Sequence, residues 1–78
     1  MRYQNLNDLT MREVEILRLI GTGLSNGEIA RRAEISVNTV RSHRKNILNK
    51  TGAQNIITVI IGAVEQRLIQ ISSMVVTD

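Results

Sequence analysis

One short pattern occurs three times in the sequence and marks where three helices begin. In each copy an apolar residue precedes a Ser or Thr, and a second apolar residue follows four positions after it; the copies span Leu9–Val14, Leu24–Ile29 and Ile35–Val40. The hydroxyl can cap free N–H groups of the first turn, while the two apolar residues pack as a hydrophobic staple. Glu13 and Glu28 can complete capping boxes in the first two copies. We therefore predict an all-α chain.

Helices two and three are predicted to form a helix-turn-helix. Helix one should run from about Met11 to Ile20, where Gly21 and Gly23 stop it, and helix two should cover about residues 26–33. Only residues 34–35 separate helix two from the next helix start, and so short a joint is typical of a helix-turn-helix. The joint lacks the glycine that such turns often contain.

Apolar spacing indicates which face of each helix is buried. In helix one, the apolar residues at spacings of three are Val14, Leu17 and Ile20. In the segment 36–50, an arc roughly 100° wide holds Val37, Val40, Ile47 and Leu48. The opposite face carries amides, a hydroxyl and a cation: Asn38, Ser42, Lys45, Asn46 and Asn49. A helix with one apolar face and one such polar face can pack on a core and still meet base edges in a DNA groove.

Charge is distributed unevenly along the chain. Residues 35–64 contain four basic side chains and no acid, whereas the rest of the chain contains six basic and seven acidic side chains. The positive formal net charge of +3 therefore comes entirely from this stretch. The four are Arg41, Arg44, Lys45 and Lys50. A charge run is often only a solvated face, but an acid-free run on an amphipathic helix favours a phosphate partner. Tyr3 is the only aromatic residue, and without a stacking platform duplex DNA is favoured over single strands.

The segment 55–69 is strongly apolar and has two interpretations. On a helix its apolar residues spread over roughly 200°, which is wider than contact with one small core requires. We therefore expect a fourth helix that also forms a homodimer, with an interface of Ile56, Ile57, Ile60, Ile61 and Val64. The alternative is a strand over residues 56–61, as in a winged helix, because β-branched residues dominate there. The length of the segment and the lack of a hairpin partner favour the helix.

Several classes of function are excluded by composition or context. The chain has no cysteine, so it can form neither a disulfide nor a thiolate metal site. Residues 23–27 match the nucleophile-elbow pattern G-x-S-x-G, but no strand precedes them and Ser25 is explained as a helix cap. We expect no catalytic residue, no metal and no cofactor. No apolar run approaches the roughly 18 residues of a membrane span, so a cytoplasmic protein without a membrane partner is expected.

The helix starts and the cationic helix together resemble the LuxR-type helix-turn-helix domain, also called the GerE or NarL/FixJ type. The matching pieces are LTxRExEIL at 9–17, GLSNxEIA at 23–30, ISxxTVRxH at 35–43, NI at 46–47 and KxG at 50–52. The resemblance covers about residues 9–69 and implies four helices, the third in the major groove of DNA and the fourth forming a dimer. It also implies a bacterial sequence-specific transcription regulator, often the output half of a response regulator. Residues 1–8 are then an N-terminal arm and residues 70–78 a C-terminal tail.

The resemblance also implies roles for individual residues. The base-reading positions fall on Arg41, Ser42 and Lys45, to which the outward face of helix three adds Asn38. The phosphate contacts fall on Thr39 and Lys50, with Asn26 and His43 as further candidates. His43 also fits a core-edge position bonded to a backbone group, and Arg41 a surface ion pair. Arg44 is expected to lay its aliphatic stem on the core.

Two positions depart from the family pattern. Thr51 stands where the family usually has leucine, which is expected to loosen the core at the end of helix three. Ile56 replaces a polar or basic residue, which removes a phosphate contact and enlarges the apolar face of helix four. Overall we expect a homodimer that reads a two-fold symmetric operator, with RNA polymerase as a possible partner. The alternatives are a promoter-reading domain of a sigma factor and a protein-interaction module on the same scaffold.

Overall fold

The computed structural model describes residues 6–71, which form one short 3-10 helix and four α-helices. The 3-10 helix is Leu6–Asp8, and the α-helices are α1 (Met11–Gly21), α2 (Asn26–Ala33), α3 (Val37–Thr51) and α4 (Ile56–Glu65). Because no strand occurs within these residues, the predicted all-α class is confirmed. Residues 1–5 of the predicted arm and 72–78 of the predicted tail lie outside the described residues.

The three repeated sequence patterns form helix caps as predicted. Thr10 and Ser25 each take part in a complete capping box, with the glutamate three residues later. Ser36 caps α3 by accepting a bond from the Thr39 N–H at 3.0 Å. The Thr39 hydroxyl lies 2.9 Å from the Ser36 hydroxyl, so the third cap uses a hydroxyl pair where the other two use a carboxylate. Asn55 caps α4 in the same manner.

Two apolar clusters form the core, and α1 and α3 contribute to both. The α4 cluster consists of Leu6, Leu17, Ile47, Val59, Ile60, Ala63 and Ile69. The α2 cluster consists of Ile16, Leu19, Ile29, Ala30, Ala33 and Val40. Since Val40 and Ile47 belong to different clusters, α3 is anchored at two points along its length.

The buried face of α1 differs from the predicted one. Ile16, Leu17 and Leu19 are at most 3% exposed, whereas Val14 and Ile20 are only half-buried. A single stripe at spacings of three would suffice for a helix that packs against one neighbour. Here α1 packs on both clusters, so its buried surface is broader and is centred on adjacent residues.

The segment after residue 55 is a helix, so the strand interpretation is wrong, but α4 ends at Glu65 and not at residue 69. Arg67 adopts a left-handed backbone with φ 63°, and the Leu68 N–H donates to the Ala63 carbonyl at 2.8 Å. This reversal returns Ile69 to the α4 cluster, where it is 4% exposed. Within the described residues no single helix is long and apolar enough to cross a membrane; α3 and α4 pass that criterion only as a pair, bent by 68°.

The joint between α2 and α3 depends on an unusual backbone conformation at Glu34. This residue is left-handed, with φ 60° and ψ 44°. The conformation allows the Ile35 N–H to donate to the Ala30 carbonyl at 3.0 Å, which closes the end of α2. A side chain with a Cβ is disfavoured in this region, which glycine enters freely. Glu34 therefore occupies a left-handed position that suits glycine, and its Cβ makes that conformation strained.

Replacement of Glu34 tests this cost. We expect Glu34→Gly to raise the free energy of unfolding by about 0.5–1 kcal/mol, because relief of the Cβ strain exceeds the extra freedom of glycine in the unfolded chain. For a chain of this size the thermal midpoint should rise by about 3–6 °C, measured by circular dichroism. Glu34→Ala removes the carboxylate but keeps the Cβ and should give no gain. If the thermal midpoint of Glu34→Gly were at or below that of the wild type, the backbone at Glu34 would not be strained.

Candidate nucleic-acid interface

The solvent-facing side of α3 is the predicted DNA-contacting surface. Val40 and Ile47 are fully buried on its inner side, and Val37 and Leu48 are half-buried beside them. All five residues predicted on the outer side are exposed: Asn38, Ser42, Lys45, Asn46 and Asn49. The predicted division of α3 into a core face and an open polar face is therefore confirmed.

The four residues predicted to contact bases lie on two successive turns of α3. Asn38, Arg41, Ser42 and Lys45 are all exposed. Nη1 of Arg41 donates to Oδ1 of Asn38 at 3.4 Å, so these two side chains lie together on the surface. The predicted surface partner of Arg41 is thus an amide and not a carboxylate. Since α3 contains no acid, its exposed face is open to anionic groups.

A second contact joins α3 to the first residue of α2. Nη1 of Arg44 donates to Oδ1 of Asn26 at 3.3 Å, and both residues are half-buried. The structure therefore brings Asn26, a predicted phosphate contact, to the side of the cationic helix. That the aliphatic stem of Arg44 lies on the core remains a prediction. Thr39 is half-buried, and its hydroxyl is engaged with the Ser36 cap.

His43 lies at the edge of the core between Val40 and Ile47 along α3, and it is half-buried. Its Nδ1 atom is buried and has no hydrogen-bond partner among the described residues. The predicted bond from the ring to a backbone group is therefore not formed at this nitrogen. A phosphate contact by His43 remains a prediction.

Glu13, predicted only as part of a helix cap, is also a buried polar residue of the core. Its side chain is 5% exposed, and its Oε1 accepts bonds from the Thr10 N–H at 2.9 Å and from Nζ of Lys50 at 2.8 Å. The contact with Lys50 spans 37 positions and ties the end of α3 to the start of α1. Lys50, predicted as a phosphate contact, thus has an internal partner. No local signal in the sequence reveals this pair, because it depends on how α1 and α3 pack.

The charge of Glu13 depends on its partners. Burial by itself raises the pKa of the carboxyl, but the bond from Lys50, the bond from the Thr10 N–H and the positive charge of Lys50 outweigh it. The pKa of Glu13 consequently lies below its ordinary value of 4.5. Because the folded pKa is depressed, the stabilisation is present above the ordinary value and is lost as the pH falls through the folded one.

The apolar surface of α4 is narrower than the predicted dimer interface. Ile57, Ile61 and Val64 are 60%, 54% and 42% exposed, and Leu68 beyond the helix is 41% exposed. Ile60 is 7% exposed and packs in the α4 cluster, so it is not available to a partner. Ile56 is half-buried against the same cluster. Two of the five residues predicted for the dimer interface are thus packed within the chain.

Thr51, which replaces the family's usual leucine, is integrated into the end of α3. It is 2% exposed, and its hydroxyl donates to the Ile47 carbonyl at 2.9 Å while accepting from the Ala53 N–H at 3.3 Å. The hydroxyl therefore has both a donor and an acceptor partner, so the smaller side chain compensates for lost apolar contact with hydrogen bonds to the helix terminus.

Comparison with known proteins decides the family. A family model described as "Bacterial regulatory proteins, luxR family" matches residues 7–63, which is more than half of the chain. The chain belongs to the luxR family. It is similar to the response regulator protein VraR of Staphylococcus aureus (strain NCTC 8325 / PS 47), Staphylococcus saprophyticus and Staphylococcus epidermidis. In each case it is 47% identical over 62 residues, covering 80% of this chain and 30% of the relative.

Family membership gives the coarse function. As a LuxR-type helix-turn-helix domain, the chain is a non-enzymatic, DNA-binding domain of bacterial transcription regulation. Ser25, in the apparent nucleophile-elbow pattern, serves as the N-cap of α2 by accepting from the Glu28 N–H at 3.2 Å. The LuxR-type assignment is favoured over the sigma-factor alternative. The chain spans about 30% of the length of the curated relatives that it matches.

Replacement of Lys50 tests the buried pair of this LuxR-type domain. Lys50→Met keeps the aliphatic stem but leaves the Glu13 carboxylate without its cation, which should cost about 2 kcal/mol of unfolding free energy at pH 7. At a second, acid pH below the folded pKa of Glu13 the deficit should shrink, because the protonated carboxyl no longer needs a cation. Urea denaturation at the two pH values measures both effects.

The exposed pair Arg12–Glu15, at 3.1 Å, provides the matched control. Each of its side chains is 44% exposed, and surface ion pairs contribute little, so Arg12→Met should change stability by less than about 0.5 kcal/mol. If Lys50→Met cost no more than Arg12→Met at pH 7, the pair with Glu13 would not contribute to the fold.

Proposed function

We propose that the chain binds duplex DNA sequence-specifically by inserting α3 into the major groove. The observation that carries this proposal is the exposed, acid-free face of α3, whose opposite side is anchored by the fully buried Val40 and Ile47. A helix held rigidly at two points presents its outer side chains at fixed positions, as base recognition requires. The major groove of B-DNA is wide enough to admit such a helix.

Base reading falls to Asn38, Arg41, Ser42 and Lys45. A guanidinium can donate to O6 and N7 of guanine, an amide can read adenine, and a hydroxyl can meet several base edges. Each well-formed base contact discriminates by about 1–3 kcal/mol. Their exposure on successive turns of α3 supports this assignment.

Phosphate contacts fall to Asn26, Thr39, His43 and Lys50. The ammonium of Lys50 has three N–H donors, of which Glu13 uses one. Its side chain is 33% exposed, so the remaining donors can serve a phosphate oxygen. Such contacts set the register of the domain on DNA and do not select the sequence.

A homodimer completes the proposed regulator. Ile57, Ile61 and Val64 form an exposed apolar strip along α4, and a two-fold axis through it would let each copy cover the strip of the other. The two α3 helices would then reach half-sites about 34 Å apart, one turn of a two-fold symmetric operator. Residues 1–8, 9–69 and 70–78 are proposed as arm, DNA-binding unit and tail.

The relatives support a wider context. They are response regulators, so we propose that this domain is the output part of such a regulator. It would act on DNA in the bacterial cytoplasm, with RNA polymerase as a candidate partner. The competing function is a protein-interaction module without DNA binding. Dimerisation without any duplex binding at low salt would select it.

Lys45 tests DNA contact because it is exposed and cationic and forms no ion pair in the part of the chain that the structure describes. We expect Lys45→Ala to weaken binding to all duplexes about tenfold and to lower the slope of log affinity against log salt by about one. Fluorescence anisotropy over a salt series measures both. Arg18→Ala, which removes an exposed charge from α1, should leave the slope unchanged. An unaltered slope for Lys45→Ala would remove this residue from the interface.

Ile61 tests the dimer without disturbing the core. We expect Ile61→Glu to give monomers in sedimentation equilibrium, because two carboxylates would face each other across the apolar strip. Affinity for a two-fold operator should fall, while affinity for a single half-site should stay within about twofold. Gln66→Glu adds the same charge at an exposed position just beyond α4 and serves as the control. A wild-type chain that binds the operator as a monomer would refute the dimer.

A further inference from the structure

We infer that Arg44 is a positioning residue for DNA binding: it holds the Asn26 amide in the one orientation that presents an N–H donor to a phosphate. The inference rests on the proposed DNA-binding function and assigns a role to a residue that the resemblance leaves without one. The contact that carries it is the bond from Nη1 of Arg44 to Oδ1 of Asn26, at 3.3 Å.

The chemistry of the guanidinium fixes the orientation of the amide. Arginine carries five N–H donors and no acceptor, so it can pair only with the oxygen of an asparagine side chain. When Oδ1 accepts from Arg44, the NH₂ group is left as the part of the amide that can donate to another acceptor. An amide without this partner can rotate and present its oxygen instead, which a phosphate repels. Arg44 thereby selects the orientation that binds an anion.

The positions of Arg44 and Asn26 favour a persistent hydrogen bond between them. Both are half-buried, so the bond is partly shielded from competing water. It joins residues 18 positions apart, on α3 and at the first position of α2, the two helices of the helix-turn-helix. Arg44 is itself half-buried, which limits the movement of its guanidinium. The amide is therefore held by the same helix that carries the base-reading residues.

Three variants separate positioning from direct contact. Arg44→Met keeps the stem without the donor, Asn26→Ala removes the amide, and the double variant removes both. Dissociation constants are measured by fluorescence anisotropy on a duplex selected from a random pool with the wild type. We expect each single variant to bind about three- to tenfold more weakly, the range for one hydrogen bond. The double variant should bind no more weakly than Asn26→Ala alone.

Asn26→Asp tests whether Asn26 donates an N–H bond to DNA or only stabilises the fold through its contact with Arg44. Aspartate still accepts from Arg44, now as an ion pair, so thermal stability should be retained or raised. It has no N–H donor and adds a negative charge, so DNA affinity should fall below that of Asn26→Ala. Arg44→Lys keeps a charge and a donor and should recover most of the affinity lost in Arg44→Met, but only when Asn26 is present.

The outcomes are distinct. If Arg44→Met weakens binding as much in the Asn26→Ala background as in the wild type, Arg44 contacts phosphate directly and the inference is wrong. It is equally wrong if Asn26→Asp binds as well as the wild type, or if either single variant binds unchanged. Failure of the wild type to bind any duplex at low salt would instead overturn the proposed function, and the inference with it.

Discussion

The fold depends on how the buried side of α3 is anchored in the core. Its apolar stripe is narrow, yet Val40 enters the α2 cluster and Ile47 enters the α4 cluster, and both are fully buried. Two anchor points fix the direction and the rotation of a helix, whereas one would leave it free to pivot. The remainder of the chain supplies these two clusters, and the polar face of α3 is left open as a consequence.

Polar contacts of two cationic side chains of α3 add to this anchoring. Lys50 ties the end of α3 to the buried Glu13 of α1, and Arg44 reaches from α3 to Asn26 of α2. Each of these side chains has donors left over, because a guanidinium or an ammonium can serve more than one acceptor. For Lys50, the positioning of α3 and contact with a phosphate are therefore compatible roles.

The sequence predicted most where the governing interactions are local. Helix starts at Thr10, Ser25 and Ser36 depend on residues within one turn, and all three are confirmed. The end of α4 was predicted four residues too late, because the reversal at Arg67 is stabilised by burial of Ile69, a contact between distant parts of the chain. The assignment of Ile60 to a dimer surface failed for the same reason: helical periodicity shows that a residue is apolar but not which neighbour covers it.

By itself, the sequence determined the four helices, the helix-turn-helix joint, the family and the polar outer face of α3, since capping, periodicity and charge are read from nearby residues. Only the tertiary structure decided which apolar residues of α4 remain exposed and which cations of α3 have internal partners. The Glu13–Lys50 and Asn26–Arg44 contacts join residues 37 and 18 positions apart. Such pairs form only when helices pack at particular distances and rotations, and no local pattern encodes those.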